Sequence, residues 1–259
     1  TGEKLINSKR INMVSFTGST ENGKKISELC SKNLKKNILN FFGKNCAIVF
    51  DSGNLKKNIC TLVKRFLYNS SQACIAPSKI FVQNKNFDKF KKEFIKEIKK
   101  FRSKDYGPIS TDQNMNKIKR FYEYVKEKEN IIYDGNRLKK KNYFEPVVLE
   151  NVKPTSKIYD EEIFGPIIFV NKFKKIKELV SKINSSKYGL ACYLFSNDRV
   201  EYEFAAKNIE CGRIWINLFE DYPQMTIGGF KQSGIGRESG SFGITNYSEI
   251  KSIIYKSKI

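Results

Sequence analysis

The chain has 259 residues, is 40% hydrophobic and carries a formal net charge of +21, enough for one large domain or two modest ones with real cores. It contains no histidine, which excludes a Cys–His or Ser–His catalytic pair and an imidazole zinc site, so no metal centre is expected. The 48 lysines and arginines are mixed with acids at helical spacing, as in KKEFIKEIKKF (91–101), so they read as solvated helix faces and nucleic-acid binding stays a remote alternative.

In chain order, INMVSF (11–16) has the pattern of a buried strand, followed by TGST and a helix to about Leu34. NCAIVF (45–50) is a second strand, LKKNICTLVKRFLY (55–68) a helix, KIFV (79–82) a strand and FDKFKKEFIKEIKKF (87–101) an amphipathic helix. IKRFYEYVKEK (118–128) continues in kind, and a Gly/Asn/Lys loop leads to NYFEPVVLEN (142–151). Strand-like GPIIFV, helix-like IKELVSKINSS, strand-like LACYLFS, a helix over about 199–208 and strand-like RIWIN (213–217) follow. This alternation predicts an α/β fold with a largely parallel sheet. GGFKQSGIGRESGSFG (228–243) stands apart as a long irregular surface loop, a kind of segment that often carries function. No apolar run reaches bilayer length, since IFGPIIFV (163–170) is interrupted by Gly165 and Pro166. The chain opens on Thr1, so targeting cannot be judged from it.

The cysteines, at 30, 46, 60, 74, 192 and 211, are scattered without a C-x-x-C pair, which suits free thiols in a reducing, cytoplasmic setting. Most such cysteines are packing. Cys74 differs by lying inside a polar loop, NSSQACIAPS (69–78). As a nucleophile it needs a source of thiolate other than histidine: a helix N-terminus, a lysine or a bound cationic cofactor. Thr17-Gly18-Ser19-Thr20, between strand and helix, is an anion-site candidate in which Gly18 allows close approach and Ser19 supplies a hydroxyl. Ser19 as a plain helix cap is the competing reading, and the stretch is not G-x-G-x-x-G.

Four stretches in order, FTGST (16–20), NSSQAC (69–74), EEIFGP (161–166) and GGFKQSGIGRESGSFG with NYSEIK (246–251), resemble the signatures of the aldehyde dehydrogenase superfamily. The resemblance covers essentially the whole chain, corresponds to about the second half of such an enzyme, and is nearest to the branch acting on betaine aldehyde and amino aldehydes. It implies an aldehyde dehydrogenase-like catalytic domain over residues 43–245, a remnant of a Rossmann-like NAD(P)-binding domain over 1–42, and an oligomerisation strand within 246–259. The implied reaction is oxidation of a small aldehyde to an acid with NAD or NADP, in a homodimer or homotetramer. Cys74 is then the nucleophile, passing through a thiohemiacetal and a thioester. Gly18 and Ser19 are implied to meet the cofactor's pyrophosphate, Glu162 its nicotinamide ribose, and Phe164 the ring. For Glu162 the bland alternative is a solvated acid, and for Phe164 it is core packing. Glu238 matches a proton-passing glutamate, with a cap or ion-pair role equally open. Arg237 and Glu249 match a structural ion pair, with Lys36 as its third member.

ILNFFGKN (38–45) departs from the pattern. The family's general-base glutamate is replaced by Asn40, and Phe42 stands for a glycine. Asparagine takes no proton at neutral pH, so a catalytically impaired or non-catalytic relative is the chief alternative. The CoA-acylating branch, where asparagine is known at this position, has a different C-terminal loop. Ser71 replaces the glycine of G-Q-x-C, a second, smaller departure.

Overall fold

The computed structural model describes residues 1–135 and 142–256. The elements run α1 (Gly2–Asn7), β1 (Met13–Thr17), α2 (Thr20–Lys32), β2 (Lys36–Asn40), β3 (Cys46–Val49), α3 (Leu55–Leu67), β4 (Lys79–Gln83), α4 (Phe87–Ile98), α5 (Ser103–Tyr106) and α6 (Asp112–Lys128). They continue through β5 (Asn130–Asp134), β6 (Val147–Glu150), α7 (Lys157–Asp160), β7 (Ile167–Phe173), α8 (Ile176–Asn184), β8 (Tyr188–Gly189) and β9 (Ala191–Phe195). The last are α9 (Arg199–Asn208), β10 (Arg213–Ile216), β11 (Phe230–Lys231), β12 (Gly234–Ile235) and α10 (Gly240–Thr245).

Seven strands form one sheet in the order β10-β9-β3-β4-β7-β6-β5, parallel except for β5, which runs antiparallel to β6. β3 and β9 are buried at every position, as expected where helices cover both faces of a parallel sheet. One face packs Ile48, Phe169 and Leu194 beneath α6, α8 and α9. The other packs Val49, Ile80 and Tyr193 against α3 and α4. The aromatic repeat of α4 places Phe90 and Phe94 5.3 Å apart, with Phe66 of α3 6.5 Å from Phe94. The expected α/β architecture is therefore formed.

The small sheet has the order β1-β2-β12 and corrects two expectations. β2 is a strand the sequence pattern did not single out, because its five residues resemble a motif more than a periodic run. β12 comes from the glycine-rich 228–243 segment, so that segment is not wholly irregular, and it joins the small sheet from inside the span expected to belong to the catalytic domain. Gly234 makes this pairing feasible: it has φ +149°, and a Cβ there would lie 2.2 Å from the Leu39 carbonyl oxygen, which no side chain tolerates. Residues 249–256 take no regular structure, so the expected C-terminal strand over 252–256 is not formed in the single chain; Ile250, Ile253, Ile254 and Tyr255 are exposed. A strand needs a neighbour to bond. Residues 257–259 and the Gly/Asn/Lys loop expected before Asn142 lie largely outside the described residues. Among the described residues, no helix is long and apolar enough to cross a membrane.

Phe94→Ala should destabilise the fold by about 3–5 kcal/mol, seen as a lower urea midpoint at unchanged slope. Lys92→Ala, on the exposed face of the same helix, should stay within about 0.5 kcal/mol of the parent.

Candidate active site

The loop carrying Cys74 begins where α3 ends. Asn69, Ser70 and Ser71 all adopt positive φ, at 51°, 55° and 60°, conformations that cost non-glycine residues on the order of 1–3 kcal/mol each. Ser71 stands at one of these positions, which explains physically why a glycine suits it. Dense hydrogen bonding holds the strain. Ser71 Oγ donates to the Phe66 carbonyl, and Ser70 Oγ to the Gly107 carbonyl at 2.6 Å. Gln72 Nε2 donates to the Pro108 carbonyl at 2.9 Å, and its Oε1 accepts from Ser110 N at 2.8 Å.

Beyond Cys74 the clamp is Asn45, 3% exposed. Its Nδ2 donates to the carbonyls of Cys74 (2.7 Å) and Ala76 (3.0 Å), while Oδ1 accepts from Ala191 N (3.0 Å). Tyr193 OH donates to the Ile75 carbonyl at 2.6 Å. Asn45 and Gln72 were not foreseen as positioning residues. Their signal was available only as two buried amides flanking the cysteine.

Cys74 is half-buried and packs against the α3–α4 core. Burial raises its thiol pKa, and the Glu162 charge raises it further; the Cys74 and Ile75 backbone N–H groups and Arg65 act the other way. On balance this environment favours the thiol over the thiolate. Glu162, also half-buried, is itself pushed up to about 8 by burial, against the opposing charges of Lys117 and Lys44. A cavity of about 20 Å³, room for one water, lies between Glu162, Phe164 and Gly43 on one side and Ser71, Ala73 and Ala76 of the cysteine loop on the other. Glu162 and Phe164 therefore share one cavity with Ala73 and Ala76 of the cysteine loop, and the Glu162 charge is felt at Cys74.

Phe164 has φ +59° and its carbonyl accepts from Asn114 Nδ2 at 2.9 Å. The Phe42 ring sits 5.0 Å from the Phe164 ring, tilted by 39°, so the replacement of glycine by phenylalanine does crowd this aromatic. Asn40 ends β2, is 5% exposed, and among the described residues its Oδ1 has no hydrogen-bond partner. Its carbonyl accepts from Gly18 N at 3.1 Å, which ties the strand–turn–helix unit to the end of β2. Ser19 caps α2 by accepting from Asn22 N. The cap reading is realised.

Glu238 lies elsewhere. Its backbone bridges to Ile227, and its carboxylate accepts from Ser15 Oγ on β1, without lining the Cys74 cavity. The expected Arg237–Glu249 pair is not formed: Glu249 binds Lys36 at 2.6 Å. Arg237 instead donates to the Gly229 and Gly236 carbonyls. The glycine-rich chain folds back around the guanidinium and takes up its donors. Among the described residues no cluster of histidine, cysteine or acids could hold a metal.

A parallel α/β sheet with a cysteine loop at its rim, beside a glutamate and a short strand–turn–helix unit, places the chain in the α/β class. The aldehyde dehydrogenase family model matches residues 1–253. The betaine aldehyde dehydrogenase of Bacillus subtilis is 31% identical over 99% of this chain and 55% of its own length, and aldehyde dehydrogenase 1A1 of Gallus gallus is 36% identical over 95% and 50%. Among solved structures, an NAD-dependent aldehyde dehydrogenase from Sinorhizobium meliloti superposes with TM-score 0.92 at 28% identity, covering 97% of this chain and 52% of that one. Betaine aldehyde dehydrogenase from Staphylococcus aureus in complex with NAD+ superposes with TM-score 0.88 at 34% identity, over 95% and 52%. The chain belongs to the aldehyde dehydrogenase family, and it spans about half the length of these relatives.

Because the Glu162 charge opposes ionisation of Cys74, Glu162→Gln should speed iodoacetamide alkylation of Cys74 several-fold above pH about 8, where Glu162 is ionised in the parent. Well below that pH the parent glutamate is already neutral, and the two rates should converge. Site-resolved mass spectrometry across a pH series reads both limbs.

Proposed function

We propose that this chain supplies the catalytic portion of an NAD(P)-dependent aldehyde dehydrogenase, with Cys74 as its nucleophile. The observation that carries the proposal is the Cys74 loop itself: a strained turn, an Asn45 clamp and two backbone N–H groups at the sulphur, in a chain of this family. Those N–H groups stabilise a thiolate, and they suit the oxyanion that forms when the sulphur adds to an aldehyde carbon. Covalent capture divides the oxidation into thiohemiacetal and thioester stages, both held on Cys74. A bound NAD(P) supplies the hydride acceptor.

The residues present fit that cofactor in two places. The first turn of α2, with Gly18 and Ser19, offers N–H groups to a pyrophosphate, and the Glu162 carboxylate is placed to accept hydrogen bonds from ribose hydroxyls. Phe164 offers a ring face, which Phe42 must leave for a flat ring to reach it. The aldehyde class supported by the relatives is a small one, betaine aldehyde among them. Glu238, bonded to Ser15, is assigned a proton-carrying role only through a movement of that bond. The exposed apolar tail over 249–256 suits pairing with a second subunit, in a homodimer or homotetramer.

Two observations favour a second reading, a relative with impaired turnover. Asn40 puts an amide whose Oδ1 has no hydrogen-bond partner among the described residues where the family's base stands, and Phe42 packs against Phe164. Asparagine cannot draw a proton from the water that must cleave the thioester, a contribution of roughly 10²–10⁴-fold.

The chain joined to the N-terminal half of the Bacillus subtilis relative, offered betaine aldehyde and NAD+, should release acid slowly. Cys74→Ser should abolish this, and Asn40→Glu should raise turnover by about 10²–10⁴-fold. Product formation unaffected by Cys74→Ser would remove the nucleophile assignment. A Cys74-dependent burst of NADH with no turnover, in parent and Asn40→Glu alike, would favour the impaired relative.

A further inference from the structure

Lys44 lies between β2 and β3 and is 6% exposed. Among the described residues its Nζ has no hydrogen-bond partner. A buried ammonium in that condition is strongly disfavoured against the neutral amine. Lys44 lines a second cavity of about 20 Å³, which shares no wall residue with the cavity beside the Cys74 loop. Tyr188 and the exposed Glu210 also border it, so it reaches the surface on that side.

The surroundings explain why Lys44 stays unpaired. Cys46 of β3 stands directly opposite Lys79 of β4 and Cys192 of β9. Lys79 holds Asp160 at 2.9 Å, and Ser186 Oγ donates to the same carboxylate oxygen at 3.1 Å. Asp160 is therefore already engaged. The Cys46 and Cys192 sulphurs face each other at 3.4 Å. Glu210, at the rim, pairs with Lys231 at 2.7 Å. Burial and the charges of Lys79 and Lys117 lower the Lys44 pKa to about 7, with Glu162 and Asp160 pulling it upward. A large share of the amine is then neutral at physiological pH, the form that attacks carbonyl carbon.

We infer that Lys44 is a second carbonyl-reactive centre, a nucleophilic amine that condenses with one-carbon aldehydes. The Nζ lone pair forms a bond to the carbonyl carbon, and the carbonyl oxygen departs as water with the two amine protons. The product is a neutral imine, and no oxidant or reductant is needed. Size sets the ligand class: a space that admits one water accommodates a methylene group and excludes an aromatic aldehyde. The step uses neither Cys74 nor a nicotinamide, so its success or failure is independent of the dehydrogenase assignment.

The test uses the chain alone with isotopically labelled formaldehyde, trapping the imine as methyl-lysine with cyanoborohydride, and follows each lysine by peptide mass spectrometry. At about pH 7 an ordinary lysine is neutral in only about 1 part in 10³–10⁴. Even with restricted access, Lys44 should be labelled at least about tenfold faster than the mean of the exposed lysines. Concentrated urea should erase the advantage, showing that the fold creates it. Lys79→Met removes a neighbouring cation and frees the Asp160 charge, so it should slow Lys44 labelling at neutral pH and leave it unchanged in strong alkali. Benzaldehyde should label exposed lysines and spare Lys44. Labelling of Lys44 no faster than the exposed lysines, or equal labelling by benzaldehyde, would overturn the inference.

Discussion

The side chain of Asn45 is the constraint around which the site is arranged. One buried amide joins three pieces of chain: the start of β3, the loop carrying Cys74, and the start of β9. Its own carbonyl accepts from Ser78 N and Lys79 N, where β4 begins. Each bond replaces one that water would make, so the net gain per bond is only about 1 kcal/mol. Leaving those buried groups unpaired would cost more. The clamp thus works chiefly by making other placements of the loop expensive, and Cys74 is held by its backbone even though its sulphur is free.

Electrostatics then set what the held groups can do. The cleft and the neighbouring loop crowd Glu162, Lys44, Lys79, Lys117 and Asp160 into a region where burial penalises every charge. Lys79 and Asp160 find each other and remain an ion pair. Glu162 and Lys44 find no comparable partner, and both drift toward neutrality near physiological pH. Glu162, pushed up to about 8, and Lys44, lowered to about 7, change charge near neutral pH, where ordinary carboxylates and amines do not. The same burial holds the Cys74 thiol protonated, so a cationic ligand or a loss of the Glu162 charge would change its reactivity.

Glycine and its substitutes control the close approaches. Gly234 lets β12 lie against Leu39, and that contact builds the third strand of the small sheet. Ser71 occupies a left-handed position without glycine's freedom, and its hydroxyl bond to Phe66 offsets part of the strain. Phe42 goes the other way. It fills space beside Phe164 that a glycine would leave open, and the two rings make a tilted contact.

The long periodic elements were legible from the residues, because α3, α4, β3, β7 and β9 each bury a face or a whole strand whose pattern needs no partner to be recognised. The ordered motifs pointed to Cys74, Glu162 and Phe164, and the fold sets Glu162 and Phe164 across one cavity from the loop that carries Cys74. Tertiary structure alone decided the rest. β2 is paired along its length by β1, and the two-residue β12, too short to carry a period, exists because β2 supplies its hydrogen bonds. Arg237 and Glu249 are separated because backbone carbonyls captured the guanidinium first. The charge states of Glu162, Lys44 and Cys74 depend on burial, a property of the assembled molecule that a residue's identity and neighbours in sequence do not contain.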